Sequence, residues 1–255
     1  MIDTHCHLTD PRLSSQLDEV LARAQQAGVM RIVTIGTDPQ DAIDAIELCR
    51  GRPFLRCAIG VHPNYCQNVE LDAIDTLRRL QSDPSVVALG EMGLDYFHQF
   101  ADRDRQKRFF EAQLQLALDV NKPIVIHSRN AIDDTLAILQ HFPVKACVFH
   151  CFTGTPDEAR RIIEQGYYLG FTGPVTYKKN DELRAIARDV PNDRIVVETD
   201  SPYLSPEPVR NQKTCEPAFV MHTARRIAEA KGLLLTEFDE LTTRNAETLY
   251  GWRAV

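Results

Sequence analysis

The sequence predicts an α/β chain folded as a (β/α)8 TIM barrel, a single domain over residues 1–255. Three observations predict it. Eight short apolar, β-branched runs alternate with segments of helical periodicity, the length suits eight such units, and no linker or low-complexity stretch interrupts them. With 44% hydrophobic residues the chain can bury a sizeable core.

The first run, "MIDTHCH", is followed by "RLSSQLDEVLARAQQAG", whose apolar residues recur at three and four and stop at a glycine, so a strand leads into an amphipathic helix. "MRIVTIG", "FLRCAIGVHP" and "VVALGEMGLD" are the second, third and fourth strands. The helical segment "RQKRFFEAQLQLALDV" leads to the fifth, "KPIVIHSR". "DDTLAILQHF" and "PDEARRIIEQG" flank the sixth, "KACVFHCFTG", and "YYLGFTGPVTY" and "RIVVETDSP" complete the set. Strands of a parallel barrel are buried on both sides, which is why these runs are almost continuously apolar. The tail "LLLTEFDELTTRNAETLYG" predicts one or two helices that brace the barrel. An open doubly wound sheet is the alternative, but it has fewer strands and a glycine-rich first turn that is missing here.

A formal charge of −7 argues against a broad basic surface for nonspecific nucleic-acid binding, while leaving room for a local electropositive site. Seven scattered cysteines without a C-x-x-C pair predict reduced, mostly buried thiols in a cytoplasmic protein. No basic n-region precedes an apolar stretch, and no run approaches the roughly 18 apolar residues of a membrane span. The expectation is a soluble protein with no membrane association and no obligate protein partner.

In a parallel barrel the active site lies at the C-terminal ends of the strands, so polar residues there carry the functional argument. In strand order they are His5 and His7, His62, Glu91, His127, His150 and Asp200. His98 in a loop, and His141 and His222 in helices, read as ordinary polar residues. Residues two apart on a strand share a face, so both imidazoles of the first strand can enter the barrel mouth. One buried histidine is more often a hydrogen-bonded core residue than a ligand. Several imidazoles and two carboxylates crowded into a low-dielectric site are another matter, because burying them is costly unless a cation compensates. A catalytic zinc needs about three protein ligands, whereas six groups suffice for two ions if a carboxylate bridges them. The expected allocation is one divalent ion on His5, His7, Glu91 and Asp200 and a second on Glu91, His127 and His150, with Glu91 as the bridge. Imidazole-rich sites suit Zn2+, Mn2+, iron or nickel, and Mg2+ stays open.

The pieces "DTHCHL", "GVHP", "GEMGLDY", "PIVIHSR", "HCFTG", "GFTGPVT" and "ETDSPYLSP" stand in an order that resembles the TatD family of metal-dependent deoxyribonucleases, amidohydrolase-like barrels, over nearly the whole chain. "DTHCHL" alone would be weak, since many metallohydrolases begin that way; the ordered set is specific. The resemblance implies a two-metal hydrolase that cleaves phosphodiester bonds in DNA, as a 3′–5′ exodeoxyribonuclease, with ligands on the same six positions. Many related barrels bridge their metals with a modified lysine on the fourth strand. Here that strand offers Glu91, and Lys122 sits at the wrong end of the fifth to replace it. Two segments depart from the family pattern: "GVHPNYC", with Asn64 where a second histidine or another polar residue is common, and "SPEPVRNQKTCEPA", with Cys215 where a polar amide is usual. Both bear on substrate choice rather than on metal binding.

Two cations would lower the pKa of a bridging water and steady a leaving alkoxide. Asp200 is the expected general base, against the alternative of a passive ligand, and Glu198, on the same face one layer deeper, is expected to orient a ligand. Candidates to hold the phosphate are His62, Arg129, Lys178 and Lys179, with Arg129 foremost because a guanidinium can grip a phosphate with two hydrogen bonds. Arg210 and Lys213 add positive charge near the expected mouth. Tyr96 is a candidate to stack on a nucleobase, against a packing role. A small-molecule hydrolase for esters, lactones, amides or phosphoesters is the first rival reading, and a non-catalytic metal-binding scaffold the second.

Overall fold

The computed structural model describes residues 1–252. Its strands are β1 Ile2–Cys6, β2 Arg31–Gly36, β3 Leu55–Ile59, β4 Val86–Asp95, β5 Ile124–Arg129, β6 Cys147–Phe149, β7 Tyr168–Phe171 and β8 Ile195–Val197. They follow one another through one sheet in sequence order, with helices in the intervals, and the fold is a (β/α)8 barrel. The helices are α1 Pro11–Ser14, α2 Leu17–Gln26, α3 Pro39–Cys49, α4 Ala73–Leu80, α5 Arg103–Val120, α6 Ile132–Leu139, α7 Pro156–Glu164, α8 Asp181–Asp189, α9 Val220–Lys231 and α10 Leu235–Tyr250. The chain forms two compact units, residues 35–150 and residues 1–34 together with the chain from Cys151 onward.

In the unit of residues 35–150, β3, β4, β5 and β6 pair in parallel, with Cys57 opposite Val86, Gly93 opposite His127, and Ile124 opposite Cys147. Gly93, at φ +137°, leaves no room for a side chain, since a Cβ there would lie 2.1 Å from the His127 carbonyl oxygen. Only glycine lets β4 and β5 approach this closely at that point. Helix α5 packs on β4. It begins at Asp102, whose carboxylate accepts from the Asp104 and Arg105 N–H groups, and ends at Asn121 in the left-handed conformation. Its buried face carries two glutamines among the apolar residues. Gln113 accepts from the Val61 N–H at 2.7 Å and donates to the Val61 carbonyl at 3.0 Å. Gln106 does the same for Asp95, at 2.8 and 3.0 Å. Val61 lies two residues past β3 and Asp95 is the last residue of β4, opposite Arg129 on β5; the glutamines satisfy the peptide N–H and carbonyl of both, so α5 holds the ends of β3 and β4 in place.

In the other unit β1 pairs with β2, Ile2 opposite Arg31 and Cys6 opposite Thr34, and β7 pairs with β8, Leu169 opposite Ile195. A bridge joins Cys6 to Ser201. The tail forms the single helix α10, which packs on β1 and β8 and braces them with polar contacts. Tyr250 donates to the Thr4 carbonyl at 3.1 Å and Asn245 to the Ile195 carbonyl at 2.8 Å.

Several strands are shorter than their apolar runs. β7 stops at Phe171 and continues as a 3-10 turn through Gly173–Thr176, because Pro174 has no N–H for a ladder. β8 stops at Val197, where Thr199 turns to hold Asp3 and Asp200 takes a φ of +56°. His150 therefore lies on the first residue after β6 and Asp200 on the third after β8, and His141 in the turn after α6 rather than in a helix. All seven cysteines are free thiols, and every one but Cys151 is buried. Among the described residues no helix is long and apolar enough to cross a membrane.

Candidate metal centre

Residues 35–150 bring three imidazoles around one carboxylate oxygen. Glu91 is 2% exposed, and its Oε1 lies 2.7 Å from His127 Nδ1, 2.8 Å from His150 Nε2 and 3.4 Å from His62 Nε2. Local backbone contacts aim these side chains. His150 N–H continues the β5–β6 ladder by donating to the Ile126 carbonyl at 3.0 Å, and His62 N–H donates to the Thr37 carbonyl at 2.9 Å. Burial alone would raise the Glu91 pKa, but the electrostatic influence of the neighbouring His150 and His62 rings and the hydrogen bonds of His127 and His150 outweigh it and hold the carboxyl well below its ordinary range.

His62 differs from its neighbours in one respect. Its Nδ1 accepts the Asn64 N–H at 3.0 Å, which in a neutral imidazole leaves the proton on Nε2. The nitrogen facing Glu91 is then a donor, suited to an oxygen rather than to a cation. His127 is arranged the other way, with Nδ1 toward Glu91 and Nε2 3.1 Å from Asp95 Oδ2. A carboxylate that takes the outer N–H of a histidine fixes its tautomer and frees the inner nitrogen to bind metal.

Asp95, at the end of β4, is a further candidate beside the strand-end histidines and carboxylates. It is 1% exposed and accepts from the Phe97 and His98 N–H groups at 2.9 Å, from His98 Nδ1 at 2.8 Å and from the Asn64 amide at 3.1 Å. Burial opposes ionisation, but the hydrogen bonds from His127 and His98 prevail and keep the carboxyl far below the usual carboxylate range. The same-face rule that pairs His5 with His7 also puts Asp95 on the side of Glu91, and that signal was available in "EMGLD". His98 is accordingly no ordinary polar loop residue, since it rests on the carboxylate that His127 also meets. Asn64, one of the departures from the family pattern, is held by the same group.

The other unit carries a second cluster. His7 Nε2 and His5 Nε2 lie 3.3 and 3.7 Å from Asp200 Oδ1, with the rings edge to face at 5.1 Å between centroids. The Asp200 N–H donates to the His5 carbonyl at 2.9 Å, so the turn at Asp200 is fastened to β1. A ligand atom of Glu198 lies within 4.8 Å of one on His5. Glu198, 1% exposed, accepts from the Cys151 N–H and from the Thr4 hydroxyl at 3.4 Å. Asp3 lies beside this cluster, two residues before His5. Thr199 donates to it through N–H at 2.9 Å and through its hydroxyl at 2.6 Å, which ties β1 to the segment bearing Asp200.

The expected substrate contacts lie outside both clusters, apart from His62. Arg129 is exposed, with its guanidinium 4.0 Å above the Phe97 ring. Lys178 and Lys179 are exposed on the loop after the 3-10 turn, Lys213 is exposed, and Arg210 stacks on Tyr177 at 3.9 Å. Tyr96 donates its hydroxyl to Asp134 at 2.6 Å and lies under the Arg103 guanidinium at 4.1 Å, so one face and its polar tip are engaged. Cys215 is buried, and burial pushes its thiol pKa well up, so it is a packing residue rather than a reactive one. Lys122 donates to the carbonyl of Val86, the first residue of β4, and so lies away from Glu91 in the middle of that strand.

Nitrogen and carboxylate donors converging in buried clusters fit divalent ions of the zinc or manganese type. A (β/α)8 barrel with such clusters at its strand ends defines a metal-dependent hydrolase. The model of the TatD related DNase family matches residues 2–251, and the chain belongs to that family. An uncharacterized metal-dependent hydrolase, YabD of Bacillus subtilis, is 38% identical over 98% of each chain. A protein named 3′-5′ ssDNA/RNA exonuclease TatD, from Erwinia tasmaniensis, is 34% identical over 98% of this chain and 99% of its own. Among solved structures, the TatD homolog YJJV of Escherichia coli superposes with a TM-score of 0.94 at 27% identity, covering 99% of this chain and 98% of that one.

Proposed function

We propose that the chain is a two-metal phosphodiesterase that trims single-stranded DNA from its 3′ end, with one ion on His5, His7 and Asp200 and the other on Glu91, His127 and His150. The observation that carries this reading is the Glu91 carboxylate, buried and ringed by imidazoles at 2.7, 2.8 and 3.4 Å, in a family whose relatives include a named single-strand exonuclease. Bound ions would supply Lewis acidity and a hydroxide at neutral pH. The chain's own residues do the rest. Asp200 takes the proton of the attacking water, Glu198 steadies His5, and the Nε2–H of His62 donates to a phosphoryl oxygen. Arg129 grips the phosphate of the strand, and Lys178 and Lys179 add an electrostatic draw that salt would weaken.

A net charge of −7 favours the rival, a small-molecule hydrolase on the same barrel. One assay series separates them. Chelated protein is reloaded with Mn2+, Mg2+ or Zn2+ and given 5′-labelled single-stranded DNA, the matching RNA, and simple ester and lactone substrates. Stepwise shortening from the 3′ end, lost on chelation and in Glu91→Gln, is the expected result. Ester or lactone cleavage with intact strands would overturn the nuclease reading, and the DNA-to-RNA rate ratio gives the preference.

A further inference from the structure

The loop after β4 exposes apolar surface that neither the core nor the metal clusters use. Phe97 is 56% exposed and Phe100 63%. Exposed aromatic rings in a group mark a binding surface more often than isolated ones do. These two are held in a fixed arrangement with His98 between them. The Phe97 edge meets His98 at 4.9 Å between centroids and 88°, and Phe100 stacks parallel on His98 at 5.1 Å and 10°. The loop is fastened from beneath by the Asp95 carboxylate, which takes the N–H groups of Phe97 and His98 and the His98 ring. Phe100 has one face on His98 and most of its area in water, so its outer face is open. A guanidinium, Arg129, sits over Phe97.

We infer that Phe97, His98 and Phe100 form a stacking shelf for the bases of a single-stranded polynucleotide, with Arg129 placed to meet a phosphate of the same strand. The inference rests on the phosphodiesterase reading and adds the part of the substrate that the metal clusters do not touch. Three features favour a strand over a small apolar ligand. The rings are flat and open rather than enclosed, a cation accompanies them, and Asp95 links the shelf to His127 through hydrogen bonds of 2.8 and 3.1 Å. Flat aromatic surface beside positive charge is how sequence-tolerant single-strand sites are built, because every base has a π-face. The stacking role expected of Tyr96 moves to its neighbours, since Tyr96 is only partly exposed and its hydroxyl is held by Asp134, whereas Phe97 and Phe100 stand out into solvent.

The test compares two fluorescein-labelled, phosphorothioate-linked strands of equal length, one with bases and one abasic, binding to Mn2+-loaded full-length protein by fluorescence anisotropy. Wild-type protein is expected to prefer the base-bearing strand. Phe100→Ala should weaken that strand's binding on the order of tenfold while leaving the abasic strand unchanged, and Phe100→Trp should keep it; Phe97→Ala, which also removes the ring under Arg129, should weaken both strands, the base-bearing one more. Equal binding of the two strands by wild-type protein, or equal loss of both in the alanine variants, would overturn the shelf. Hydrolysis of bis-p-nitrophenyl phosphate by wild-type protein separates the two failures. Diester hydrolysis with equal strand binding removes the shelf alone, whereas absence of diester hydrolysis removes the phosphodiesterase reading and the shelf with it.

Discussion

Asp3 lies wholly buried two residues before His5, and burial, opposed by hydrogen bonds from Thr199 and His5, pushes its pKa up to about 8. In the unfolded chain the same carboxyl ionises near its ordinary value of 3.8. The folded state thus keeps a proton that the unfolded state has lost, and this contribution to stability is full below the unfolded pKa and disappears as pH rises through the folded one. Asp3→Asn removes the titration. The difference in unfolding free energy between wild type and Asp3→Asn, from urea melts of chelated protein, should decline by about 1.4 kcal/mol per pH unit between roughly pH 4 and 8 and then level off. A difference that stays flat would mean that Asp3 is ionised in the fold. Arg129 gives a kinetic prediction. Arg129→Ala loses both charge and planar fork and should lower kcat/KM on DNA about ten- to hundredfold at unchanged metal content, with Arg129→Lys in between. The structure already assigns Asp134, one candidate partner for a purely structural role, to Lys107 at 2.7 Å and Tyr96 at 2.6 Å. A lowered melting temperature with intact kinetics would return Arg129 to that structural role.

The element that sets the Glu91 site is α5, although it contributes no ligand to it. Gln106→Leu keeps the helix and its volume but leaves the N–H and carbonyl of Asp95 without their partner. That should cost about 2–4 kcal/mol in a urea melt and weaken Mn2+ binding at the His127 cluster, measured by titration calorimetry, on the order of tenfold. Lost stability with unchanged Mn2+ affinity would limit the glutamine to a packing role. Nothing in the sequence marked these glutamines. On an amphipathic helix a polar residue reads as part of the wet face, and only the fold reveals that Gln106 and Gln113 point inward at the peptide groups of Asp95 and Val61. The strands were more legible. β4 has the same limits in the sequence and in the structure because it is apolar or glycine nearly throughout. β8 was overextended, because alternation continues in the letters "VVETD" while the backbone leaves the sheet at Val197. His5, His7, Glu91, His127, His150 and Asp200 are expected at strand ends, and each lies in the C-terminal half of its strand or within three residues after it. What the letters could not convey was how the imidazoles are oriented, which depends on Asn64 and Asp95 reaching them from other loops.

For the molecule as a whole, ions bound only by the folded state stabilise it by mass action, about 2.7 kcal/mol for each site at a free-ion concentration 100 times Kd. Exhaustive chelation, which removes two such ions, should therefore lower the melting temperature by roughly 10–20 °C, given the 2–4 °C per kcal/mol expected at this chain length, and returning Mn2+ or Zn2+ should restore it. An unchanged melting temperature, with metal removal verified by elemental analysis, would mean that the clusters hold no ion tightly. The division of the chain into two units also bears on the order of events during synthesis. His62, Glu91, His127 and His150 belong to the uninterrupted stretch 35–150, whereas His5 and His7 emerge first and meet Asp200 only after most of the chain has followed. At roughly 5–20 residues per second, the Glu91 ligands are all present some 2–10 s before Asp200 is added. The Glu91 cluster thus has all its candidate ligands synthesised while the His5–His7 pair still lacks Asp200.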